Sequence, residues 1–126
     1  MHLIIVRHAK AAPGEPDELR SLTSKGREQA RALGRELRGK GVAPDAVLTS
    51  PLVRARETAA ALGLGEPEVD DRLAPGASPE DVREAAAGRG ETVVVVGHQP
   101  DCGQAVLTLA GVEVPFPPAG YHVVEL

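Results

Sequence analysis

Four side chains in this sequence have the types and positions to handle an oxyanion. Arg7 and His8 stand together directly after the apolar run HLIIV at residues 2–6. Arg54 follows Thr49 and Ser50 by one helical turn, and His98 follows the run TVVVVG at residues 92–97. Arginine offers a planar fork that matches phosphate bidentately. Histidine is the side chain that gains or loses a proton near neutrality. Two of each imply phosphate binding with proton or phosphoryl handling. Taken singly, each has an ordinary structural explanation. Arg7 could finish a strand, His8 could be a hydrogen-bonded core histidine, Arg54 a solvated helix charge like Arg56 beside it, and His98 a turn residue capping a helix. Their shared position, each just beyond an apolar run, is what points to a site. His2 and His122 lie inside strand-like runs and are read as structural.

The elements that must position these side chains follow from hydrophobic spacing. Residues 2–6, 46–49 and 92–96 are short apolar runs that read as buried strands. The third is apolar on both faces, as a central parallel strand should be. A short strand near Val69 and a last one over 120–126 complete the set. Thr23 is an N-cap for a helix carrying Ala30, Leu33 and Leu37 and ending at Gly39 and Gly41. Ser50 is expected to cap the next helix, with Pro51 at its first position and Leu52, Ala55, Ala59 and Leu62 on one face. Ser78-Pro79 opens a helix to Ala87, and Pro100 one to Ala110. Residues 9–22, 66–77 and 111–119 read as loops.

Strand-helix alternation throughout predicts a three-layer α/β sandwich with a mostly parallel central sheet, one domain over residues 1–126. Ligands in such sheets bind beyond the carboxyl ends of the strands, which is where the four side chains would converge. Helix N-termini after Ser50 and Gln99 would add backbone N–H groups. Gly26 and Gly34 suit close helix packing. Arg27, Arg31, Arg35 and Arg38 form a charged helix face, expected to be solvated, with docking of an acidic partner as the alternative.

Composition removes other classes. Lys+Arg is 14 and Asp+Glu 18, a net charge of −4, and Phe116 and Tyr121 are the sole aromatics. Nucleic-acid binding, which calls for a basic excess or stacking platforms, is not expected. The single cysteine, Cys102, excludes a disulfide framework. A cysteine phosphatase needs arginine six positions after its nucleophile, and Thr108 stands there, so Cys102 reads as a packed helix residue. There is no G-x-S-x-G, no phosphate-binding G-x-x-x-x-G-K-[ST] and no Asp-x-Asp pair. Paired arginines would repel a cation, so neither metal nor cofactor is expected. No apolar stretch has the length of a membrane span or the form of a leader, which makes the cytoplasm the expected compartment and a membrane no partner.

The segments "VRHA", "SLTSKGREQA", "LTSPLVRARETA" and "VVVVGHQP" resemble, in order, the signature blocks of the histidine phosphatase superfamily. They run from Ile5 to Pro100, and Ala9-Lys10 with "DELRSLTSKG" is most similar to the SixA-type phosphohistidine phosphatase branch. The resemblance implies the phosphoglycerate mutase-like fold. It also implies roles: His8 as nucleophile forming a phosphohistidine intermediate, Arg7 and Arg54 as a phosphoryl clamp, and His98 as a further donor. Asp17 and Arg20 resemble the acidic and basic pair of the branch's second block and would order the loop beside the site. Ser50 would stand behind the site as a cap and donor.

Three departures from the family pattern stand out. The usual glutamate general acid is replaced by Pro75 in "DDRLAP", the region after "RH" has Ala11 and Ala12 where a polar asparagine is common, and the closing "PPAGY" lacks a frequent lysine. Asp70, Asp71, Glu15 and Asp17 are the carboxylates that could substitute for the acid. An alkoxide leaving group needs a proton, whereas a phosphorylated imidazole can carry its own on the distal nitrogen. The pattern therefore favours a phosphohistidine-bearing protein as substrate. A small phosphate ester is the alternative, and a catalytically weak phosphate-binding module a further one.

Overall fold

The computed structural model describes residues 1–126. Five strands, β1 (His2–Arg7), β2 (Ala46–Thr49), β3 (Pro67–Val69), β4 (Thr92–Gly97) and β5 (Tyr121–Glu125), form one sheet in the order β3-β2-β4-β1-β5. All neighbours are parallel except β1 and β5. The run TVVVVG does form the middle strand, buried on both faces. Four helices connect the strands: α1 (Ser24–Gly39), α2 (Val53–Leu62), α3 (Pro79–Ala86) and α4 (Asp101–Ala110).

The strand period of two divides the apolar side chains between two cores. Leu3, Ile5, Leu48, Val93 and Val95 point to one face and pack with Val82, Ala85 and Ala86 of α3 and Ala105 and Val106 of α4. Ile4, Val6, Val47, Val94 and Val96 point to the other and pack with Leu33 and Leu37 of α1 and Ala55, Ala59 and Leu62 of α2. The result is the expected three-layer α/β sandwich. Glycine sets the closeness of one layer: a Cβ at Gly34 would collide with the Leu62 carbonyl of α2, and one at Gly26 with the Lys10 carbonyl.

Three local expectations change. Ser50 does not cap α2; Leu52 occupies the cap position in extended backbone and Pro51 lies outside the helix. The Ser50 hydroxyl is drawn instead to His98, leaving it one backbone N–H, that of Leu52, to accept. The loops at 9–22 and 66–77 contain single 3-10 turns, Asp17–Leu19 and Asp71–Leu73. The arginine face of α1 is only partly solvated. Arg38 donates to the Leu62 carbonyl (2.7 Å), and Arg27 to the Leu22 carbonyl (3.0 Å) and the Glu57 carboxylate (3.3 Å). The Thr23 cap is as expected, its hydroxyl accepting from Gly26 N–H at 2.9 Å.

Candidate active site

Parallel pairing brings the carboxyl ends of β1, β4 and β2 level. Arg7 is opposite Gly97, and Thr49 opposite Val96, so His8, His98 and Ser50 emerge side by side. The His8 N–H donates to the Gly97 carbonyl at 2.9 Å and the Ser50 N–H to the Val96 carbonyl at 3.0 Å, which holds the three segments together past the strands. The His8 and His98 ring centres are 5.3 Å apart. Arg54, in the first turn of α2, is 7% exposed.

The histidines differ in hydrogen bonding. His8 Nδ1 lies 2.7 Å from the Ala9 carbonyl oxygen. A carbonyl only accepts, so Nδ1 carries the proton and Nε2 keeps its lone pair. Burial lowers the His8 pKa; the Ala9 bond opposes this, and the charges of Arg54, Arg7 and Arg20 add to the lowering. The ring is therefore neutral at pH 7 with its Nε2 lone pair available.

His98, 4% exposed, shows the reverse pattern. Its Nε2 is 2.7 Å from Ser50 Oγ. Ser50 Oγ accepts from Leu52 N–H, and His98 Nε2 is the one protein acceptor within reach of its hydrogen, so the hydroxyl donates to Nε2 and the imidazole proton sits on Nδ1. Burial, reinforced by His8 and the guanidinium of Arg54, pushes the His98 pKa down to about 4. His98 is thus a neutral donor through Nδ1, a buried atom with no partner within the protein. Arg7 matches it: its Nη1 donates to the Phe116 carbonyl at 2.9 Å while its buried Nε is unpartnered. Buried polar atoms are almost always paired, so these two unpartnered donors, on residues that end β1 and follow β4, make this edge a candidate for an anion ligand.

Asp17 and Arg20 pair as expected, at 2.9 Å. Sequence reading did not foresee that Asp17 also holds Arg54. Its carbonyl accepts from Arg54 Nη1 at 3.0 Å and its carboxylate from Nη2 at 3.2 Å. Three other supports went unseen. Thr58 Oγ accepts from Ala9 N–H (3.0 Å) and donates to the Arg54 carbonyl (2.8 Å), fixing the peptide that orients His8. Its place four residues after Arg54, on the same helix face, was the available signal. Glu57 accepts from Leu22 N–H at 2.7 Å. Asp101 accepts from Gly76 and Ala77 N–H (2.8 and 3.2 Å), tying the segment after Pro75 to α4. Cys102 is buried against the Val6 carbonyl, and burial pushes its thiol up to about 12, as a packing residue requires. No cluster of three or more His, Cys, Asp or Glu side chains is arranged to hold a metal ion, and no helix is long and apolar enough to cross a membrane.

The profile of the histidine phosphatase superfamily, branch 1, matches residues 3–76, which include Arg7, His8 and Arg54. The chain belongs to this superfamily. Among solved structures, the histidine phosphatase superfamily member SixA, a protein histidine phosphatase complexed with tungstate, is similar over all of this chain and 88% of its own, with 28% identity and a TM-score of 0.89. A protein assigned as a phosphohistidine phosphatase SixA from Nakamurella multipartitia is 30% identical over 97% of this chain and 82% of its own, with a TM-score of 0.81. An uncharacterised Picosynechococcus protein is 34% identical over 98% of this chain and 78% of its own.

Proposed function

We propose that this superfamily member is a phosphatase whose His8 Nε2 takes a phosphoryl group from protein phosphohistidine and passes it to water. The observation that carries the reading is the bond from His8 Nδ1–H to the Ala9 carbonyl, which leaves Nε2 as a neutral nucleophile among Arg7, Arg54 and His98. In the first step His8 Nε2 bonds to phosphorus as the substrate P–N bond breaks, its electron pair returning to the substrate ring. In the second, water bonds to phosphorus and the His8 P–N bond breaks. Arg7 and Arg54 neutralise charge on the phosphoryl oxygens, and His98 Nδ1–H donates to one of them. The resemblance to a SixA that takes tungstate, itself an oxyanion, supports oxyanion binding by this chain.

The choice of a P–N substrate rests on proton supply. Pro75 stands at the usual acid position. The candidate Asp70 bonds Arg72 at 2.7 Å, which holds its carboxyl below the ordinary carboxylate range. Arg20 and Arg54 do the same to Asp17. Neither can donate a proton near neutrality, and a protonated phosphoimidazole needs none.

The test compares initial hydrolysis rates on a phosphohistidine peptide and an alkyl phosphate monoester. The phosphohistidine rate should be much the larger. His8→Ala should reduce it by ~10³-fold or more, with phosphate trapped covalently on His8 in the native protein alone. Preference for the monoester would replace this reading with the small-ester one.

A further inference from the structure

Asp17 has more to do than an exposed turn residue requires. One carboxylate oxygen lies on Arg20 and the other on Arg54, while the side chain stays 58% exposed. A carboxylate has about four acceptor positions, so each oxygen keeps capacity on its open side. That side faces a groove of about 400 Å³ lined by Ala11, Pro13, Gly14, Glu15, Asp17 and Arg20. The volume suits a small ring or a side chain. Asp17 is therefore the wall shared by the groove and the phosphate-clamping arginine.

Asp17 both bonds Arg54 and lines the groove, so it is placed to meet the leaving group of a phosphoryl held by that arginine. We propose that Asp17 recognises the leaving group, its carboxylate accepting a hydrogen bond from the distal ring N–H of a phosphorylated imidazole seated in the groove. The assignment rests on the phosphohistidine reading above and adds the residue that selects for it. With the distal nitrogen protonated, the P–N electron pair returns to the ring and the product is neutral imidazole, with no proton required from the enzyme. With that nitrogen deprotonated, the ring would have to leave as an anion. Asp17 thus favours the reactive form.

The groups that face Asp17 agree with this role. Arg20 bonds it from its own segment and Arg54 from α2, and together they keep it ionised. Glu15 and Glu18 flank it in the chain. His98, at the end of β4, feels its charge across the site.

The experiment measures kcat/KM for wild type and Asp17→Asn on a phosphohistidine peptide and on p-nitrophenyl phosphate, from mildly acidic to alkaline pH. The aryl ester has a weakly basic leaving group without an N–H. The assignment expects the phosphohistidine rate to fall ~10-fold more than the aryl phosphate rate, and its alkaline limb to move to lower pH. Equal losses on both substrates with an unmoved limb would show that Asp17 only holds Arg54, and would overturn the assignment alone. A wild-type protein that cleaves the aryl ester but not phosphohistidine would overturn the substrate reading, and the assignment with it.

Discussion

The same strands end in two different ways. At the N-terminal edge of the sheet, polar groups are exposed and paired with one another. His2 pairs with Glu125, the Asp45 carboxylate accepts from Thr92 N–H at 3.1 Å, and the Met1 amine donates to the Leu126 carbonyl at 2.7 Å. At the C-terminal edge, Ser50, Arg54 and His98 are buried, and Arg7 Nε and His98 Nδ1 find no partner. Water can satisfy the first edge wherever protein does not. The second has buried donors and leaves two of them without a protein partner, at a cost that an ordered water or a bound anion offsets.

Beyond the loss expected for His8→Ala, the largest effect tests whether the C-terminal edge works as one unit. Ser50→Ala removes the donor to His98 Nε2, so the imidazole proton is no longer directed to Nδ1 and the phosphoryl group loses a donor. The expected outcome is a ~10- to 100-fold fall in kcat, read in steady-state kinetics, with circular dichroism confirming the fold. Unchanged kcat would mean that the tautomer of His98 is set by something other than Ser50.

The second expected effect concerns pH. His98 is held neutral in the folded state, its pKa reduced from 6.5 to about 4 by burial first and neighbouring charges second. The unfolded chain binds a proton there below pH ~6.5, and the folded chain does so only near the lowered value. Stability is therefore present above the unfolded pKa and declines as pH falls through this window. Burial of His8 acts in the same direction. Urea midpoints measured across the window should fall, and fall less in His98→Gln.

The smallest expected effect is at the opposite edge. His2→Ala removes an exposed pair with Glu125. It should change stability by no more than ~0.5 kcal/mol and leave the hydrolysis rate unaltered, in denaturant titrations and the same kinetic assay. A large kinetic effect there would mean that the two edges communicate through β1.

Much of the site was legible because its parts are local in the chain. Arg7 ends a strand and His8 follows it without a gap, Gly97-His98 does the same, and Arg54 lies in the first turn of the next helix. Strand direction then decided that they would meet. The supports were not legible, because each is a hydrogen bond between distant segments. Thr58 reaches Ala9, Asp101 reaches Gly76, and Asp17 reaches Arg54. Threonine or aspartate on a helix or loop has many ordinary uses, and nothing in the spacing selects these partners. Ser50 is the instructive miss. A serine before proline is a good cap signal, but tertiary contact with His98 outbid it, and α2 begins three residues later at Val53.

By itself, the sequence determined the alternation of strand and helix, the split of apolar side chains between two faces, and the residues that end each strand. These depend on periodicity and on covalent neighbours, which a linear chain carries in full. Only the tertiary structure decided which nitrogen of each histidine holds the proton, which arginine Asp17 binds, and where the unspent donors lie. Those properties depend on which groups from separate segments come within hydrogen-bonding distance in a low-dielectric interior, and that distance exists only once the chain has folded.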